Sequence, residues 1–187
     1  MNKSNNKRYQ ITDEKIENAL LALLKDKDFN STYVNDICKE AGIARTSFYS
    51  HYDDINDLIL KTQNKYSNKI LEILLTNKLS SKDAYTMYFS YLKDHSVFYK
   101  AYLISSDSRI FAKNTCDYLL DLYAERLNMD NINKRKKKYH MIFIGAGINA
   151  IACKWLLDGC IETPEEMTEI LLHEYSYIFS NQNSEKI

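Results

Sequence analysis

Residues 32–58, TYVNDICKEAGIARTSFYSHYDDINDL, read as two short helices joined by a tight corner. Val34, Ile37, Cys38 and Ala41 recur at steps of three and four, the period of one buried helical face. Thr32 carries the hydroxyl expected of a helix cap. Gly42 follows Ala41 directly and can take the left-handed conformation that ends a helix, with Ile43 plugging the corner. The chain then restarts with Arg45, Thr46, Ser47, Phe48 and Tyr49, placing short and hydrogen-bonding side chains where a core helix would carry aliphatic ones. This is the layout of a helix-turn-helix, whose second helix enters the major groove of DNA.

Helix is predicted for the rest of the chain as well. One Pro and four Gly among 187 residues leave few breakers, which favours an all-α protein over a sheet protein rich in turns. A first helix is expected from Thr12 to Lys27. Thr12 is its cap, Asp13 and Glu14 complement the dipole, and Ile16, Ala19, Leu20, Leu23 and Leu24 form its apolar stripe. Residues 1–9 are polar and basic without periodicity and are expected to be a disordered arm. A longer helix is expected from Asp53 to Leu75, followed by helices over Ser81–Asp94, Ser96–Ser105, Arg109–Leu127, Lys136–Leu157 and Pro164–Ser180. The last has a clear start, with Thr163 as cap, Pro164 at the first helical position and Glu166 as the reciprocal partner. Gly159 suits the stop of the helix before it. The expected division is a three-helix DNA-binding domain over 1–54 and a helical bundle over 55–187.

Lys+Arg and Asp+Glu both total 25, so a nucleic-acid surface has to be local: Lys3, Lys7, Arg8, Lys39 and Arg45 are the candidates. The run Lys134–Lys138 lies far along the chain from Arg45 and reads as a solvated first turn. The polar start MNKSNNKRYQ lacks the apolar core of a signal peptide. The most apolar stretch, Met141–Leu157, contains Asn149 and Lys154, so a buried helix is expected and no membrane partner. Cys38, Cys116, Cys153 and Cys160 form no C-x-x-C pair, which implies a reduced, cytoplasmic protein. His51, His95, His140 and His173 have no metal-ligand spacing, and there is neither a Gly-rich phosphate loop nor a nucleophile elbow. No metal, cofactor or enzymatic activity is expected.

The details go beyond a generic helix-turn-helix. Phe29, Thr32, Val34, Ile37, Ala41-Gly42-Ile43, Phe48-Tyr49, His51-Tyr52 and Leu58 keep a spacing that resembles the N-terminal domain of the Tet repressor family of bacterial transcription regulators. The resemblance is sharp over residues 10–60 and architectural beyond. It implies DNA contact by Thr32, Tyr33, Arg45, Thr46, Ser47, Tyr49 and His51. Tyr49 and His51 are expected on phosphates, Phe48 and Tyr52 inside. From its own chemistry Arg45 suits a bidentate bond to guanine. The family usually has a Lys at the start of the next helix that grips a phosphate; here that position is Ile55, beside Asp53 and Asp54.

The second domain carries much of the aromatic load. Tyr side chains present an apolar ring and a polar tip, and a bundle lined with them could enclose an amphipathic small molecule. The resemblance implies an effector there, and Tyr66, Tyr88, Tyr102, Phe111 and Tyr118 are the candidate pocket residues. The helix from Met141 is apolar around much of its circumference, which calls for burial on several sides. Gly145 and Gly147 permit close approach, Asn149 needs a partner, and Met167, Ile170 and Leu171 form a stripe on the last helix. These are the expected contacts of a homodimer, which the family forms through its last two helices.

The expected function is a sequence-specific regulator on a pseudo-palindromic double-stranded operator, a repressor released by a small molecule of unknown identity. The alternative is an adaptor that keeps the fold but acts through a second protein, motivated by Ile55, Asp53-Asp54 and the zero net charge.

Overall fold

The computed structural model describes residues 7–75, 80–104 and 134–180. Within them lie eight α-helices and no strand: α1 Lys7–Leu23, α2 Val34–Ala41, α3 Arg45–Tyr49, α4 Ile55–Leu75, α5 Ser81–Asp94, α6 Ser96–Ile104, α7 Lys134–Leu157 and α8 Pro164–Ser180. A 3₁₀ turn, Phe29–Ser31, precedes α2. The helix expected over Arg109–Leu127 lies outside the described residues. Two compact units form, Met1–Asn68 with Val97–Ser106 and Lys69–Ser96 with Asp107–Ile187.

In the first unit α2 packs against α1 and α3. Ile16, Ala19 and Leu20 of α1, Ile37 and Cys38 of α2, Phe48 of α3 and Leu58 of α4 are among its buried apolar residues. Two features differ from the sequence-based expectation. First, α1 starts at Lys7, inside the stretch expected to be a disordered arm. The Thr12 hydroxyl donates to the Arg8 carbonyl at 2.9 Å, so it bonds back within the helix and does not cap it. Second, Thr32 does not cap α2. Its hydroxyl donates to the Asp28 carbonyl at 2.8 Å, and Tyr33 stands at the cap position without a side-chain bond. Asp28 is the capping residue nearby: its carboxylate accepts the Ser31 N–H at 2.7 Å and also the Ser31 hydroxyl. These bonds hold the Asp28 carboxyl below its usual range.

The corner itself forms as expected. Gly42 has φ 64° and ψ 39°. Its N–H bonds the Lys39 carbonyl and the Ile43 N–H bonds the Cys38 carbonyl, the paired closure of a Schellman motif. α7 ends the same way, with Gly159 at φ 95° and the Cys160 N–H on the Trp155 carbonyl.

The first unit is completed by α6. Phe98 is fully buried, with ring centroids 5.7 Å from Phe29, 5.1 Å from Tyr66 and 6.1 Å from Tyr102. The Tyr102 hydroxyl donates to the buried Gln63 side chain of α4 at 3.1 Å. Phe98 meets Phe29 and Tyr66 edge-on and stacks with Tyr102, and aromatic pairs of these kinds add about 0.5–1.5 kcal/mol each beyond area burial.

In the second unit α5 packs against α8 and α7. Phe89 meets Trp155 edge-on at 5.4 Å, and the Thr86 hydroxyl donates to Thr168 at 3.1 Å. The capping box of α8 is formed: the Glu166 N–H reaches the Thr163 hydroxyl at 3.2 Å, and the Thr163 N–H reaches the Glu166 carboxylate at 2.7 Å. No helix among the described residues is long and apolar enough to cross a membrane.

Gly42→Ala should lower stability by about 1–2 kcal/mol, the cost of a left-handed L-residue. A Cβ there would meet nothing within 4 Å, so crowding adds nothing. Urea melts check this; an unchanged midpoint would mean that the corner is not held in the left-handed region.

Candidate nucleic-acid interface

α3 is five residues long, Arg45–Tyr49, and everything around it serves to place it. Phe48 points inward and is fully buried, with ring centroids 5.7 Å from Tyr52. Ala44 caps the start with backbone only, and the Ser50 N–H closes the end on the Thr46 and Ser47 carbonyls. The opposite face looks outward. Arg45 and Thr46 are exposed, Ser47 is half-buried, and Tyr49 is 47% exposed. Tyr33, just ahead of α2, is 65% exposed. Among the cationic side chains of this unit, Lys7, Arg8 and Lys39 are also exposed.

The other two residues expected on DNA are placed differently. Thr32 is buried, its hydroxyl spent on Asp28. His51 is 8% exposed and stacks on Tyr9 of α1 at 3.7 Å between ring centroids. His51 Nδ1 lies 3.4 Å from the Asp13 carboxylate, outside hydrogen-bond geometry. Its neighbour Tyr52 donates a short bond of 2.6 Å to the same carboxylate. Burial, and then the Asp13 carboxylate, push the Tyr52 phenol well above its usual range, so it stays protonated and donates.

Sequence reasoning missed this cluster. Asp13 reads as a dipole-compensating residue of a first turn, and its true partner lies 39 positions away. Lys61 was equally hidden. Its ammonium donates to the His51 carbonyl at 3.1 Å and to Asp57 at 2.8 Å, and sits 5.2 Å from the centre of the Tyr52 ring. It thereby satisfies a carbonyl just past the end of α3, where a cation is favoured.

The acidic start of α4 has a structural account. Asp54 Oδ1 accepts the Asp57 N–H at 2.8 Å, and Asp57 accepts the Asp53 N–H at 3.0 Å. These carboxylates cap α4 and complement its positive end.

Three of the five expected effector residues lie among the described residues. Tyr66 and Tyr102 are buried in the core of the first unit around Phe98, and Tyr88 is buried in the second against Phe89. Phe111 and Tyr118 lie outside the described residues. An open groove of about 490 Å³ does occur in the first unit, between Leu24–Asp28 and Val97, Lys100, Ala101 and Ile104, and it contains none of the five.

Of the expected dimer contacts, Met167 and Leu171 are buried on the α8 face that carries Thr168, inside their own unit. Ile170 is exposed, Gly147 is exposed, and Gly145 and Asn149 are half-buried. Asn149 lies 3.8 Å from the Cys153 thiol one turn on, which donates to it. On α7 a further stripe is exposed, Tyr139, Phe143, Ala146, Gly147 and Ala150, with Ile142 beside it.

A helix-turn-helix with an outward-facing second helix, followed by a helical unit, defines a transcription regulator. The chain belongs to the Tet repressor family: residues 16–62 match the family of bacterial regulatory proteins named for it, and residues 80–173 match a transcriptional regulator C-terminal region. Its fold is similar to that of the dihydroxyacetone kinase operon activator DhaS, at 19% identity and TM-score 0.66 over 87% of this chain and 92% of that one. A transcriptional regulator from Aquifex aeolicus is similar at 18% identity and TM-score 0.69, covering 90% and 99%. One from Streptococcus agalactiae is similar at 19% identity and TM-score 0.66, covering 90% and 95%. No curated protein sequence matches the chain significantly.

The Tyr52–Asp13 bond should respond asymmetrically to truncation. Asp13→Ala leaves a buried hydroxyl without an acceptor and should cost about 1–3 kcal/mol. Tyr52→Phe removes the donor and leaves a carboxylate that water can reach, so it should cost about 0.5–1.5 kcal/mol. Denaturant melts of both variants decide this; equal costs would mean that water already reaches the hydroxyl.

Proposed function

We propose that the chain is a sequence-specific DNA-binding regulator that acts as a homodimer. One observation carries the reading: the outer face of α3 presents Arg45, Thr46 and Tyr49 to solvent, while Phe48 anchors the helix from behind. Arg45 at the start of the helix is the reader of a base edge, by a two-donor fork on guanine. Tyr33 and Tyr49 suit phosphate oxygens, which fix register and carry no sequence information. Ser47 is half-buried and lies nearest the helix body. Thr32 and His51 act from inside: Thr32 shapes the turn ahead of α2, and His51 packs the end of α3 onto Tyr9. The two recognition helices of a dimer would enter successive major grooves about 34–36 Å apart on a pseudo-palindrome. Repression is the default sign by analogy with the family. Release by a small molecule belongs to this proposal on the strength of the family, with the second unit as its site. Such an effector must bind the two states of the protein with different affinity.

The adaptor alternative loses part of its motive. The Asp54 and Asp57 carboxylates are engaged in capping α4, so Asp54 beside Ile55 is explained without a protein partner, while the Asp53 carboxylate is exposed.

Arg45→Ala should cost about 1–3 kcal/mol on the preferred duplex and relax discrimination at one base pair, with little change on scrambled duplex. Fluorescence anisotropy titrations at several salt concentrations measure both. A wild type with no salt-dependent DNA binding would restore the adaptor reading.

The exposed stripe of α7, with Ile170 of α8, supports assembly through these two helices, since a chain rarely leaves so continuous an apolar face in water. Phe143 is 60% exposed in the single chain, so Phe143→Glu should leave its fold intact. In a dimer the same carboxylate would be buried unpaired. Sedimentation at micromolar concentration should therefore show a dimer for the wild type and a folded monomer for Phe143→Glu and Ile170→Glu. A monomeric wild type overturns the assembly.

A further inference from the structure

Arg45 is already oriented in the free protein. Its Nη2 donates to the Tyr49 hydroxyl at 3.0 Å, one helical turn away. The guanidinium carbon lies 5.7 Å from the centre of the same ring. Both side chains stand on the outward face of α3. Among the described residues no carboxylate forms an ion pair with Arg45. The guanidinium is thus held by a hydroxyl oxygen, with no carboxylate to compete with DNA for it. A bond to a carboxylate would be roughly twice as strong and would have to be given up.

The donor count is compatible with simultaneous reading. A guanidinium carries N–H donors in a planar fork, and only one is committed to Tyr49. Enough remain for a two-donor contact with O6 and N7 of guanine. The Tyr49 oxygen accepts, so its own proton is left to donate, and the outward face of α3 is where a phosphate oxygen would lie.

We infer that Tyr49 is a specificity-determining residue that positions Arg45 on a guanine, beyond any bond it makes to phosphate itself. The inference rests on the DNA-binding reading above. Its physical basis is the rotamer freedom of arginine. A loose arginine loses that freedom when it docks, which weakens the contact it makes. Tyr49 removes part of the loss before DNA arrives. The benefit is realised only where a guanine rewards the fork, so it falls on the preferred sequence and not on every duplex. A phosphate contact alone would help all duplexes alike.

The test is a double-mutant cycle with the full chain on two duplexes. One is the preferred sequence selected by the wild type from a random pool. The other differs at the single base pair whose replacement no longer matters to Arg45→Ala. Tyr49→Phe keeps the ring and removes the hydroxyl. At 47% exposure the site should tolerate it, and a thermal melt matching the wild type checks that. The readout is the ratio of affinities for the two duplexes, in which a uniform phosphate effect cancels. Tyr49→Phe should lower this ratio about three- to tenfold in the wild-type background, from the rotamer cost per side chain. It should leave the ratio unchanged in the Arg45→Ala background. An unchanged ratio in the wild-type background, or an equal fall in both, overturns the inference while leaving DNA binding intact. A wild type that binds no duplex removes the DNA-binding reading, and this inference with it.

Discussion

A helix of five residues has no stability of its own in water, because nucleation costs more than so few hydrogen bonds return. α3 exists only because other parts of the first unit hold it. Phe48 anchors it from below, Tyr52 ties its downstream end to Asp13, His51 stacks on Tyr9, and Lys61 takes up the His51 carbonyl. The outward face can then be chosen freely for recognition. Helix propensity places no demand on Arg45, Thr46 and Ser47, since packing elsewhere supplies the stability. The extension of α1 ahead of Thr12 includes Tyr9, so Tyr9 and Asp13 meet the end of α3 from one helix.

Local features of the chain were legible because their causes are local. Gly42 stops α2 through a conformation that only glycine adopts cheaply, and Thr163 with Glu166 starts α8 through bonds confined to one turn. The helix from Asp53 to Leu75 was legible, and its buried residues Leu58, Thr62, Tyr66 and Ile70 recur at helical spacing. What could not be read is pairing across distance. Nothing near Asp13 points to Tyr52, and nothing near Phe98 points to Phe29. The hydroxyls of Thr12 and Thr32 show the same limit on a smaller scale. Each could bond forward as a cap or back to a preceding carbonyl, and each takes the second: Thr12 because the helix already runs ahead of it, Thr32 in a buried turn.

The tyrosines illustrate how one residue type serves opposite ends. Tyr66, Tyr99 and Tyr102 are interior residues whose rings build the core around Phe98, and Tyr102 satisfies its hydroxyl on Gln63. Tyr33 and Tyr49 are exterior residues of the same unit. Composition alone weights all of them equally toward a ligand pocket. The aromatic density is largely spent on packing in the described part of the chain.

The start of α4 has a consequence for how such a regulator would search a genome. With Ile55 where the family commonly has a phosphate-gripping lysine, and with Asp54 and Asp57 turned to capping, this corner offers DNA little backbone attraction. Backbone attraction is what holds a regulator on the vast excess of irrelevant sequence. In the proposed mode, dwell time on such sequence would be shorter than with a lysine at position 55, and occupancy of the true site would depend more on the bases that Arg45 reads.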